Sequence, residues 1–166
     1  MTTGFLAKIV IDQGVGRQVT LKEVMDIMRR AEKAGLVHET INIQDTSAFI
    51  CNCCPCCCGF LKSVKELRNY GAIAKSNFAP KIDRNLCTLC EKCMEICPME
   101  AIYHHWPHSD DLSDDMMVIR EDLCIGCGVC ASNCPNEAIT LEKVRDVVPF
   151  KTQAEMEQKI REKRIH

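Results

Sequence analysis

Apolar positions along this chain fall into short, unlike blocks. Residues 5–11 (FLAKIVI) form an apolar run broken by one lysine, the pattern of a short strand or a buried arm. Gly14 and Gly16 mark a turn after it. Thr20 and Glu23 then stand in capping-box spacing, and Leu21, Val24, Met28 and Ala31 recur on one helical face. Gly35 sits where such a helix would end on a left-handed residue, so the pattern predicts an amphipathic helix over 21–34. A second helix is predicted over 60–70. Leu61, Val64 and Leu67 share one side of it, Lys62, Lys65 and Arg68 lie largely on the other, and Gly71 ends it. From Thr152 onward the chain is almost all charged. Thr152 and Glu155 repeat the capping pattern, but Met156 and Ile160 alone offer an apolar face, so a helix there needs a partner surface.

These blocks are thin material for a core. The chain has 166 residues, enough for one domain with an attached module, and aromatics make up 5% of it. Its formal net charge of -2 gives no sign of a nucleic-acid binder. No apolar run approaches the roughly 18 residues of a membrane span. The opening MTTGFLAKIVIDQG lacks the basic and long apolar regions of a secretory signal, so a cytoplasmic location is expected. There are 14 cysteines. In a reducing compartment such clusters are expected to bind metal as thiolates rather than to form a disulfide framework.

The cysteines are ordered. Residues 87–98 (CTLCEKCMEICP) and 124–135 (CIGCGVCASNCP) both read C-x2-C-x2-C-x3-C-P. Three thiolates spaced by two residues wrap three corners of a cubane, and the fourth cysteine of each run serves the other cluster. One 4Fe–4S cluster is therefore expected on Cys87, Cys90, Cys93 and Cys134, and another on Cys124, Cys127, Cys130 and Cys97. Pro98 and Pro135 turn the chain away, and Gly126 and Gly128 let the backbone approach sulfur. Matching turns follow each run, Met99-Glu100-Ala101-Ile102 and Asn136-Glu137-Ala138-Ile139. Structural zinc on two C-x2-C pairs is the competing reading, but zinc has no use for the third and fourth cysteines of each run.

A further block, 51–58, carries six cysteines in eight residues. Cys51, Cys54 and Cys57 repeat the C-x2-C-x2-C spacing, which predicts a third 4Fe–4S cluster. Its fourth ligand would come from Cys53, Cys56 or Cys58, or from farther away. A different metal site and a redox-active dithiol are the alternatives. Between the two long runs, the insertion 103–123 holds His104, His105 and His108 near Asp110 and Asp111. It reads as a surface insertion anchored by Trp106, with a metal site as the alternative. His38 is read as a buried histidine bonded to the loop, with cluster ligation as the alternative.

On its two long cysteine runs, residues 86–141 resemble the bacterial dicluster ferredoxins. That resemblance implies two antiparallel βαβ-like halves enclosing two cubanes, related by a pseudo-two-fold, with the crossed ligand set named above. The N-terminal pattern 35-GLVH-38, Asn42 and 50-ICNCCPCCCG-59 resembles anaerobe iron–sulfur proteins, and more narrowly the small electron-transfer subunits of tungsten-dependent benzoyl-CoA reductases. It implies a three-cluster protein docked on a large pterin-bearing catalytic subunit, exchanging electrons with a soluble ferredoxin or another electron-transfer subunit. The fold class expected is α+β. It comprises an N-terminal helical module with the cysteine-rich site (1–80), a ferredoxin-like dicluster domain (81–150) and a charged tail (151–166).

Function follows from chemistry that is present and chemistry that is missing. Three cluster sites support electron transfer as a non-catalytic subunit of an oxidoreductase complex. No nucleotide-binding glycine fingerprint or phosphate loop accompanies them. The alternatives are a free low-potential ferredoxin, a thiol- or sulfur-handling reductase working through 51–58, and a zinc-binding adaptor.

Overall fold

The computed structural model describes residues 1–45, 47–106 and 115–164. Helix α1 (Gly4–Asp12) takes up the apolar run expected as a strand or buried arm, and none of its residues is buried. The reason lies in its partners. Pairing reaches only the first residues of the chain, with Thr2 bridging Phe49 and the Thr3 N–H donating to the Ala48 carbonyl at 2.9 Å. With no strand beside 4–12, the local helical bonds take over, and a run this short carries no period to forbid them.

Helix α2 (Leu21–Lys33) begins on the expected box. The Thr20 N–H donates to Glu23 Oε2 at 2.8 Å, and the Glu23 N–H donates to Thr20 Oγ1 at 3.3 Å. Arg17, bonded to Glu23 at 2.6 Å, together with Thr20 holds that carboxyl at about 2, well below its ordinary range. Gly35 ends the helix at φ +74°, and the Leu36 N–H returns to the Ala31 carbonyl at 3.0 Å. Strands β1 (Val37–Glu39) and β2 (Cys51–Cys53) form a two-stranded sheet. Helix α3 (Gly59–Leu67) stops earlier than expected. Arg68 turns left-handed at φ 56°, three positions before Gly71. Leu61 and Val64 are buried as the pattern required, but Leu67, the last helical residue before the left-handed Arg68, is 75% exposed.

Strand β3 (Phe78–Ile82) and helix α4 (Lys92–Ile96) lead to strand β4 (Ile102–His105). Strand β5 (Met116–Ile119), helix α5 (Val129–Ser132) and strand β6 (Ile139–Lys143) follow. β3 pairs antiparallel with β6, Phe78 opposite Lys143 and Ile82 opposite Ile139. β4 pairs antiparallel with β5, Ile102 opposite Ile119. Helix α6 (Gln153–Arg164) ends the described chain. The Glu155 N–H reaches Thr152 Oγ1 at 3.3 Å, while the Glu155 carboxylate caps the Lys151 N–H at 2.9 Å. Pairs such as Gln153–Glu157 and Gln158–Glu162 run along its surface. Among the described residues no helix is long and apolar enough to cross a membrane.

Contacts divide the chain into two compact units whose boundaries differ from the order of modules along the sequence. The first gathers Met1–Met28, His38–Asn52 and Val147–His166. Within it, Met1 and Ile50 exchange backbone bonds at 2.8 Å, and the Gln44 N–H donates to the Phe150 carbonyl at 2.7 Å. None of its described residues is buried. The second comprises Arg29–Val37 and Cys53–Asp146 and holds the core. One buried cluster there is Val37, Leu61, Val64, Met99, Ala101 and Ile125. The other is Cys93, Ile102, Met117, Cys130 and Ile139. Cysteines are thus members of the core, which answers the scarcity of aromatics.

Gly126 marks the tightest approach in this unit. Its φ is +71°, and a Cβ there would stand 2.2 Å from the Phe78 carbonyl oxygen and 2.7 Å from Ser76 Cβ. Backbone cannot yield as a side chain can. Gly126→Ala is therefore expected to destabilise the loaded protein by roughly 2 kcal/mol or more. The visible-absorbance loss on heating should begin several degrees lower than in the unchanged chain.

Candidate metal centre

Each cysteine run bends on paired left-handed residues. Leu89 (φ 55°) and Glu91 (φ 60°) flank Cys90, as Gly126 (φ 71°) and Gly128 (φ 81°) flank Cys127. Glu91 and Gly128 then serve as the N-caps of α4 and α5. The short helices carry Cys93 and Cys130 inward, where both are buried. Cys97 closes α4 in an extended conformation, so the chain leaves the helix before Pro98. After each crossing cysteine the backbone repeats itself again, with Glu100 at φ 53° and Glu137 at φ 52°. In those turns the Ala101 N–H donates to Cys97 Sγ and the Ala138 N–H to Cys134 Sγ, each at 3.3 Å. Such bonds offset negative charge on sulfur.

The turns form the walls of two small cavities of similar size. Cys87, Cys90, Cys93 and Cys134 line one. Cys97, Cys124, Cys127 and Cys130 line the other. Three cysteines of each set come from one run and the fourth from the other run. The remaining lining is mainly aliphatic, including Met117 and Ile139 in the first and Met99 and Ile125 in the second.

Residues 86–138 match the family model described as a 4Fe-4S dicluster domain. No curated protein matches the chain. The matched stretch is about a third of the sequence and contains both cavities' cysteines. The chain thus bears iron–sulfur cluster-binding residues on an α+β fold, a combination suited to electron transfer.

The donor chemistry fits such a cluster. Each cavity of the dicluster region offers four sulfurs and an apolar surround, the soft, water-poor setting that Fe–S clusters use. Burial pushes the Cys93 and Cys127 thiols up to about 11 and Cys130 to about 12. Cys124 is raised for the same reason, with the Gly126 N–H opposing the shift. A bare thiolate is disfavoured in these walls, so charge enters them together with a cation. Loading must displace protons, because the raised thiols of Cys93, Cys127 and Cys130 are protonated at pH 7. Iron uptake should therefore release protons and grow more favourable as pH rises toward 9. Proton release measured in weak buffer during anaerobic reconstitution checks this, and uptake insensitive to pH would contradict it.

The first cysteine block is arranged differently from its spacing. Cys51 lies in β2 and its Sγ donates to the Glu39 carbonyl at 3.5 Å. The chain stays extended through Cys53 and turns only at Cys54, where the Cys58 N–H returns to the Cys54 carbonyl at 3.0 Å. The sulfurs gathered within 4.8 Å of one another are accordingly those of Cys54, Cys56 and Cys57 in one set and those of Cys53 and Cys58 in another. The trio Cys51, Cys54 and Cys57 assumed an uninterrupted turn. Cys54 and Cys56 are joined as a disulfide, a departure from the expectation of reduced thiols throughout. Both sulfurs become ligands only after a two-electron, two-proton reduction. Cys56 and Cys57 sulfurs are 3.5 Å apart.

Two of the described histidines are held by side-chain partners. His38 Nδ1 pairs with Asn52 Oδ1 at 2.8 Å. His104 Nδ1 pairs with Glu91 Oε1 at 2.7 Å, its Nε2 faces Asp115 at 3.7 Å, and its ring stacks on Trp106 at 4.3 Å. His105, the next residue on β4, points to the opposite face, as strand alternation requires. His108, Asp110 and Asp111 lie outside the described residues. Two features escaped the sequence reading. The Ala101 and Ala138 amides had a signal in the matched turns after each Cys-Pro. Asn133, whose Nδ2 donates to the Glu32 and Val129 carbonyls at 2.9 Å, had none.

Proposed function

We propose that this chain relays single electrons through two 4Fe–4S clusters, one in each four-cysteine cavity, with a third redox centre at the first cysteine block. The observation that carries the reading is the pair of similar cavities, each completed by a cysteine from the other run. When bound, a 4Fe–4S cluster supplies a one-electron couple. The chain's own residues supply the rest. Cysteine sulfurs hold the group, Ile125, Met99, Met117 and Ile139 keep water away, and the Ala101 and Ala138 amides bear on the potential through sulfur.

The proposed setting is a complex with a larger catalytic subunit, for which tungsten-pterin benzoyl-CoA reductase is the partner that the N-terminal resemblance supplies. Support comes from the first compact unit. It has no buried residue among those described, yet it displays Phe5 at 80%, Leu21 at 77% and Val15 at 74% exposure. An apolar surface of this kind fits a partner better than free solution. A soluble ferredoxin or another electron-transfer subunit would serve the other end of the relay. Thiol–disulfide chemistry is a second reading, favoured by the Cys54–Cys56 disulfide with the Cys57 sulfur close by.

Anaerobic purification under mild salt, followed by iron and acid-labile sulfide analysis, tests the reading. About twelve iron and twelve sulfide per chain, with a larger oxidoreductase subunit co-purifying, is the expected result. About eight of each would remove the third cluster and leave the block to thiol chemistry. Zinc in place of iron would overturn the relay.

A further inference from the structure

The first cysteine block does not stand equally near both cavities. Cys53 and Cys58 pack against the buried cluster that includes Leu61, Val64, Met99, Ala101 and Ile125. Met99, Ala101 and Ile125 also line the cavity of Cys97, Cys124, Cys127 and Cys130. From the cavity side, Cys97, Cys124 and Cys127 pack against the same cluster. The cavity of Cys87, Cys90, Cys93 and Cys134 shares none of this wall. Its Met117 and Ile139 belong to the other core cluster. One shared wall therefore joins the turn at 53–58 to one cavity alone.

We propose that the three sites act in series, with the Cys124-run cavity as the middle position between the Cys87-run cavity and the turn at 53–58. This order rests on the relay reading above, in which the turn is a redox centre. Electron transfer falls steeply with separation, so the shared wall selects the neighbour. Once a dithiol reductant has opened the Cys54–Cys56 disulfide, giving up two electrons and two protons to become a disulfide itself, and a cluster is held at the turn, each transfer moves one electron: the group on one side of the wall is oxidised by one unit and that on the other is reduced by one. In the transfer itself no bond forms or breaks and no proton is required. A low-potential one-electron donor, itself an iron–sulfur carrier, feeds one end. The ends are the two places where cysteines reach solvent: Cys90 at the outer cavity, and Cys56 and Cys57 at the turn.

The series is tested on the whole chain, loaded anaerobically and reduced with dithionite, by electron paramagnetic resonance. Cys90→Ser and Cys127→Ser each leave an oxygen in place of sulfur and so tag the signal of one cavity. Into each tagged protein the triple change Cys54→Ser, Cys56→Ser, Cys57→Ser is introduced. Iron should fall by about a third. The Cys127→Ser signal should lose magnetic splitting and relax several-fold more slowly, while the Cys90→Ser signal keeps its linewidth. Where Cys127→Ser fails to load, Cys97→Ser tags the same cavity. A change confined to the Cys90→Ser signal, or equal in both, overturns the order while leaving a third centre in place. Iron at about eight per chain before and after the triple change overturns the third centre itself, and the order with it.

Discussion

Chelation of iron from the anaerobic protein will abolish cooperative structure across residues 86–141. The core there has little else to stand on. Its one large fully buried side chain is Val129, no aromatic is buried among the described residues, and Cys93 and Cys130 are themselves core members. The strands are four or five residues long and the two helices are a turn or so each. Isolated pieces of that length are marginal in water. Metal binding at structural sites contributes on the order of 10 kcal/mol, as large as the whole stability of an ordinary domain. Removing it twice over exceeds what aliphatic packing can retain. Raised thiol pKa values add to this, because an emptied cavity would hold protonated, poorly paired sulfur rather than a bound cation. Amide dispersion in a two-dimensional NMR spectrum, before and after chelation, reads the result. A well-dispersed spectrum of iron-free protein would show that hydrophobic burial suffices.

Exchange of the crossing cysteines will strike the cluster of the opposite run. Cys97 belongs to the first run in sequence but lines the cavity of Cys124, Cys127 and Cys130. Cys134 belongs to the second and lines the cavity of Cys87, Cys90 and Cys93. Cys97→Ala should therefore remove about four iron atoms from the Cys124-run cavity, and Cys134→Ala about four from the Cys87-run cavity. Each change also strands an amide, Ala101 or Ala138, that now donates to the missing sulfur. Resonance spectra of the two variants should be complementary, each retaining the signal the other loses. If each variant instead loses the cluster of its own run, the ligand sets are uncrossed.

Helix placement was legible wherever a local rule sufficed. The Thr20–Glu23 box and Gly35 bracket α2 within a residue of the sequence reading. α3 starts where expected but ends on Arg68, because its last turn was decided by the backbone's return to the Ser63 carbonyl and not by the downstream glycine. Residues 4–12 were illegible for a different reason. An apolar run without period is compatible with strand or helix, and the choice depends on whether a strand lies beside it. Leu89 and Glu91 take left-handed conformations that residue type alone would assign to glycine, and only alignment with Gly126 and Gly128 makes them readable.

The sequence by itself determined the iron–sulfur character of residues 86–138, because C-x2-C-x2-C-x3-C-P is a local pattern whose turns, in both runs, bring the sulfurs together. It also determined the repetition of the turns, since equal residues at equal offsets meet equal steric limits. The tertiary structure alone decided which sulfurs of residues 51–58 meet. Extension through β2 delays the turn to Cys54 and groups Cys54 with Cys56 and Cys57. It alone decided that Met99, Ala101 and Ile125 form a wall between the block and one cavity. Those residues are far apart along the chain, and their meeting depends on long-range packing that no local spacing encodes.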